Sequence, residues 1–100
     1  MPPAGVAAAF WGHLDILESL LDAGADVSIA DNDGNCAVTS AVLGNHPQVL
    51  ALLLEKGGDP NCRNRFGITP VDLAKKKGRK NLLRLLEQSH SRSATTTISD

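Results

Sequence analysis

One hundred residues, 42% hydrophobic and 21% charged, are enough chain for one small globular domain. Aromatic residues make up 3% and tyrosine is absent, so the apolar content is mostly Leu, Ala and Val, which suits helix-on-helix packing better than a sheet. Ten basic residues against eleven acidic ones give a formal net charge of -1, which leaves no overall attraction to nucleic acid or anionic lipid. The longest apolar runs, such as Val49 to Leu54, fall far short of the roughly 20 residues of a membrane span, and Met1 to Gly5 lack the basic-then-apolar layout of a secretion signal.

From the N-terminus, a run of small residues around Ala8 ends in a hinge glycine, Gly12. An apolar helix follows, with Leu14, Leu17, Leu20 and Leu21 at helical spacing. Asp15, Glu18 and Asp22 fall on its polar side and read as a solvated face. A Gly24-Ala25-Asp26 turn closes this first unit. The pattern then repeats: Ala41 stands where Ala8 stood, Asn45 where Gly12 stood, and Val49-Leu50 where Ile16-Leu17 stood, each 33 residues on. Asn is the residue other than glycine that best tolerates a left-handed hinge, and Pro47 sits at the first turn of the following helix, where it costs no hydrogen bond. Gly57-Gly58-Asp59 repeats the closing turn. In the third unit Ala74, Gly78 and Leu82-Leu83 occupy the same register, and Lys75 to Lys77 close a short helix where cations complement the dipole.

The third unit contains Gly67-Ile68-Thr69-Pro70-Val71-Asp72-Leu73-Ala74. This segment resembles the ankyrin repeat, whose Gly-x-Thr-Pro-Leu-His-x-Ala signature is matched at Gly67, Thr69, Pro70 and Ala74, with Val71 for Leu and Asp72 for His. The turns beginning at Gly24 and Gly57 also resemble those of the family, and the resemblance covers about residues 6 to 88. It implies an all-α helix-turn-helix solenoid with short hairpin-like connections. The expected units are a truncated first repeat over 1–30, a second over 31–63 and a terminal, capping repeat over 64–88, followed by a disordered Ser/Thr-rich tail over 89–100.

The middle unit departs from the pattern, reading Cys36-Ala37-Val38-Thr39 where the family has Thr-Pro-Leu-His, so its helix start should be weak. In the last unit Glu87 replaces the leucine found at Leu21 and Leu54, which suits the polar end of an array.

Nothing in the sequence assembles a catalytic, cofactor or metal site. His13 and His46 share one repeat position beside the hinge and are expected to bond a neighbouring carbonyl or loop. No nucleophile signature or Gly-rich phosphate loop accompanies them. Cys36 and Cys62, without a Cys-x-x-Cys or His-x-x-x-His partner, are read as reduced thiols of a cytoplasmic or nuclear protein.

What the resemblance implies is a non-catalytic protein-interaction module, a scaffold or adaptor; the alternative is a targeting or regulatory fragment of an enzyme assembly. In ankyrin-like repeats the residues before the hinge lie on the concave side, here Phe10 and Trp11, Leu43, then Lys76 and Lys77. The hairpin tips add Asn32, Asp33, Asn35, Arg65, Phe66 and Ile68. The expected partner is a protein; membrane insertion and nucleic-acid binding are not expected.

Overall fold

The structure is a computed structural model that describes the backbone of residues 4–94 and the side chains of residues 4–88. Six helices follow one another: α1 (Ala4–Trp11), α2 (Leu14–Asp22), α3 (Ala37–Gly44), α4 (Pro47–Glu55), α5 (Pro70–Lys76) and α6 (Lys80–Ala94). They pair as three helical hairpins stacked in sequence order. α1, α3 and α5 pack in one layer, and α2, α4 and α6 in a second. Among the described residues the β-structure amounts to one isolated antiparallel bridge, Ala30 with Cys36.

Each hairpin is closed by the same hydrogen bond. The N–H groups of His13, His46 and Arg79 donate to the carbonyls of Ala8, Ala41 and Ala74 at 2.9, 3.0 and 2.9 Å. A bond of this reach requires a left-handed residue just before it, and Gly12, Asn45 and Gly78 have φ of 75°, 60° and 65°. Asn45 is the one non-glycine residue with positive φ among those described. The hinge inferred from the sequence is thus a backbone requirement that Asn can meet and most side chains cannot.

The core runs along the stack. Val38, Ala41, Val42, Leu50, Leu53, Leu82 and Leu86 have no measurable exposure. Leu50, Leu53, Leu82 and Leu86 form the seam between α4 and α6, and Leu17 extends it to α2. Gly58 lies where the turn after α4 folds back on its own hairpin: a Cβ there would come within 2.7 Å of Val38 Cγ2, in α3, and 2.8 Å of the Leu53 carbonyl oxygen, in α4.

Two expectations need correction. Cys36 and Cys62 are not separate thiols but a disulfide, their Cα atoms 7.0 Å apart. Cys36 immediately precedes α3 and Cys62 precedes the turn at Asn64 to Ile68, so stacking of the second and third hairpins brings two residues 26 apart in sequence face to face. The Thr39 hydroxyl sits against both sulfurs, at 3.5 and 3.7 Å. The tail expected over 89–100 also begins later, because α6 continues to Ala94. No glycine or proline interrupts Lys80 to Ala94, so nothing local stops the helix. The remainder of that tail, 95–100, lies outside the described residues.

Candidate protein-binding groove

α1, α3 and the fingertip turn at Asp31 to Asn35 border a hollow of about 250 Å³. Phe10, Trp11 and Leu43 form its apolar wall, and Asp31, Asn35 and Ser40 supply its polar groups. Phe10 and Trp11 are 38% and 66% exposed, large fractions for such apolar rings. Their rings meet edge to face at 4.9 Å, a favoured arrangement that fixes one ring against the other.

Cross-repeat bonds hold this wall in place. His46 Nε2 lies 3.0 Å from the Phe10 carbonyl oxygen. One repeat further on, Arg79 donates to the carbonyl of Leu43 at 3.5 Å. His46 therefore has the structural duty expected of it, and the same position is filled by Arg79 in the third hairpin. That bond ties Arg79 to Leu43, and Lys76 and Lys77, both exposed, stand at the repeat positions that Phe10 and Trp11 hold in the first hairpin.

The fingertips are built by asparagine and aspartate turns. Asp31 Oδ1 accepts the N–H groups of Asp33 and Asn35, both at 2.9 Å. Asn64 Oδ1 does the same for Phe66 and Ile68, at 2.8 and 3.0 Å. The two tips are then joined to each other. Asn64 Nδ2 donates to Asn35 Oδ1 at 3.0 Å, the Arg65 N–H donates to the Asp33 carbonyl at 2.8 Å, and the Arg65 guanidinium pairs with the Asp33 carboxylate at 3.6 Å.

Besides Lys76 and Lys77, the residues singled out from the sequence fall into three groups. Phe10, Trp11, Leu43 and Asn35 share the hollow. Asn32, Asp33, Arg65 and Phe66 are exposed at the tips, with the Arg65 guanidinium 5.5 Å from the centre of the Phe66 ring. Ile68 is half-buried and packs against the core. Asp31 and Ser40 line the hollow too and were missed; their small polar side chains match no motif, and only the fold brings them beside Trp11. Among the described residues no group of three or more His, Cys, Asp or Glu side chains could hold a metal, and no helix is long and apolar enough to cross a membrane.

Residues 5–97 match the family model described as ankyrin repeats (3 copies). Protein PhlB of Serratia liquefaciens is 42% identical over 87 residues, which is 86% of this chain and 37% of PhlB. SH3 and multiple ankyrin repeat domains protein 1 of Homo sapiens is 33% identical over 69 residues, covering 69% of this chain and 3% of that protein. The L-asparaginase of Dirofilaria immitis is 35% identical over 75 residues, covering 75% of this chain and 13% of that protein. The chain thus spans little more than a third of these relatives at most. Three stacked helical hairpins with one hinge bond repeated in each, matched to that model along nearly the whole chain, establish that the chain belongs to the ankyrin repeat family, a non-catalytic protein-interaction fold.

Proposed function

We propose that this chain acts as an adaptor or scaffold, binding a protein partner across the groove of α1, α3 and α5 and the two fingertips. The observation that carries this reading is the exposed Phe10–Trp11 pair at the mouth of the hollow. Large aromatics held rigidly beside a pocket are frequent anchors of interfaces. Half-burying two rings of about 150 to 250 Å² each yields about 4 to 6 kcal/mol before ordering costs, enough to dominate an interface. A cytoplasmic or nuclear location belongs to the same reading, and trapping the Cys36–Cys62 pair with an alkylating agent in intact cells tests it. A bridge fully oxidised in vivo would oppose that location.

The test replaces Phe10 and Trp11 together with Ala and measures both affinity for a partner captured by the wild-type chain and the denaturant midpoint. Affinity should fall by about a hundredfold or more while the midpoint moves little. Normal binding with loss of cooperative unfolding would make the rings a cover for the α1 end of the stack and overturn the groove. A second reading, a targeting or regulatory part of an enzyme assembly, draws on the similarity to a protein named L-asparaginase. Enzyme subunits co-purifying with the chain would favour it.

A further inference from the structure

The near-zero net charge hides a segregation along the stack. Residues 1–55 hold seven carboxylates and no Lys or Arg, whereas residues 56–100 hold all ten Lys and Arg and four carboxylates. Stacking in sequence order turns this division into a spatial one, because the first hairpin lies at one end of the array and the third at the other. The groove crosses the division. At its α1 end the only charged group lining the hollow it shares with Trp11 is Asp31, and both hydrogen bonds that Asp31 accepts fall on Oδ1. At its α5 end stand Lys76 and Lys77, beside the guanidinium that reaches Leu43. Asp72, on the same helix, is engaged with Thr69 at the opposite end of α5.

Resting on the groove reading above, we propose that the occupant is an extended polypeptide segment of opposite polarity. A cationic side chain stacks on Trp11 beside Asp31, an apolar side chain lies over Leu43, and a run of carboxylates faces Lys76 and Lys77. Trp is the best aromatic platform for a guanidinium or ammonium group, and a neighbouring carboxylate adds to that attraction. Helices packed at about 8 to 10 Å place α1 and α5 about 16 to 20 Å apart. Extended chain at about 3.3 Å per residue covers that span in about five or six residues. Charge order therefore sets the direction in which the segment lies, since the reversed segment would bring carboxylates onto Asp31 and cations onto the lysines. A nucleic acid strand, anionic along its whole length, meets the basic end but is repelled at the α1 end.

Fluorescence anisotropy with two labelled peptides of one composition tests this. In the first, arginines at one end are separated from glutamates at the other by a leucine; in the second, the same residues alternate in charge. The blocked peptide should bind at least about tenfold more tightly than the alternating one, and its affinity should fall as salt rises. Lys76→Glu with Lys77→Glu should abolish that preference, the milder Lys76→Gln with Lys77→Gln should reduce it, and Trp11→Ala should weaken the blocked peptide. If both peptides bind equally and Trp11→Ala weakens both, the groove stands and the charge order is overturned. If neither peptide binds, or if Trp11→Ala and the lysine variants change nothing, groove and charge order fail together. A single-stranded oligonucleotide that displaces the blocked peptide at equal concentration also overturns the proposal, in favour of a polyanion site.

Discussion

At the scale of single residues, the repeat tolerates different side chains at one position according to what is stacked against it. Ala25 and Gly58 occupy the same place in successive units, yet Ala25 is exposed and Gly58 buried. Gly58 has Val38 and the Leu53 carbonyl across from it, whereas Ala25 is open to solvent. We expect Gly58→Ala to lower stability by about 1 to 3 kcal/mol, because the added methyl meets backbone that cannot rotate away, and Ala25→Gly to change it by less than about 1 kcal/mol. Urea midpoints of the two variants check this, and equal shifts would mean that the turn after α4 does not pack on its own hairpin as closely as Gly58 implies. Asp26 supplies a local control. The Ser28 hydroxyl and, secondarily, the Ser28 N–H hold its carboxyl below the usual carboxylate range. A depressed carboxylate stabilises above its unfolded pKa and loses that contribution as pH falls through the folded value. Ser28→Ala should move the Asp26 titration, followed by NMR, upward toward the ordinary range.

At the scale of the helices, the starts of α3 and α5 show what the sequence does and does not reveal. Thr69 accepts from the Asp72 N–H, and the Asp72 carboxylate accepts from the Thr69 N–H, a reciprocal cap with Pro70 behind it. Cys36 makes no such cap, sulfur being a weak acceptor. Helix order, hinges and the weak start of α3 are legible because they depend on residues within one repeat. The Cys36–Cys62 bridge is not, because it depends on which faces of two successive repeats meet, and a spacing of 26 residues matches no motif. The bridge changes what restoring the family residues does. Ala37→Pro alone should stabilise by about 0.4 to 1 kcal/mol, since Cys36 has the extended backbone a following proline requires, with φ -80° and ψ 173°. Cys36→Thr with Ala37→Pro should gain about 1 to 2 kcal/mol against the reduced parent. Against the oxidised parent it should lose, because closing a loop of this length is worth about 3 to 4 kcal/mol. Denaturant midpoints with and without a reducing agent separate the two cases; a variant that gains equally in both would show that the bridge contributes nothing.

At the scale of the whole molecule, the two ends of the stack differ, and the difference follows from the repeat register. Ile16, Val49 and Leu82 are equivalent in the repeat register, yet Ile16 is 53% exposed while Val49 and Leu82 are 2% and 0%. Leu20 is half-buried where Leu53 and Leu86 are fully enclosed, and it borders an apolar hollow of about 180 Å³ with Leu17, Leu21, Val27 and Ile29. At the other end the corresponding outward position is Glu87, charged and exposed. Cohesion in a solenoid comes mainly from nearest-neighbour contacts. The first and third hairpins each stack on one side alone, but the first leaves Ile16 exposed and Leu20 half-buried where the third presents Glu87, so we expect the first to be the least stable of the three. With the bridge reduced we expect a thermal midpoint below about 70 °C, near the usual mesophile range. Paired charge substitutions compare the open position on α2 with its buried equivalent on α4. Val49→Lys places an unpaired cation in the seam and should unfold the chain or cost about 3 to 5 kcal/mol. Ile16→Lys, at the same register position but in solvent, should stay within about 0.5 kcal/mol. If sedimentation finds a monomer and Ile16→Lys nevertheless costs as much as Val49→Lys, the first hairpin is packed in solution in a way this stack does not contain. If the chain is instead a dimer that Ile16→Lys dissolves, the open face of α2 is where two copies meet.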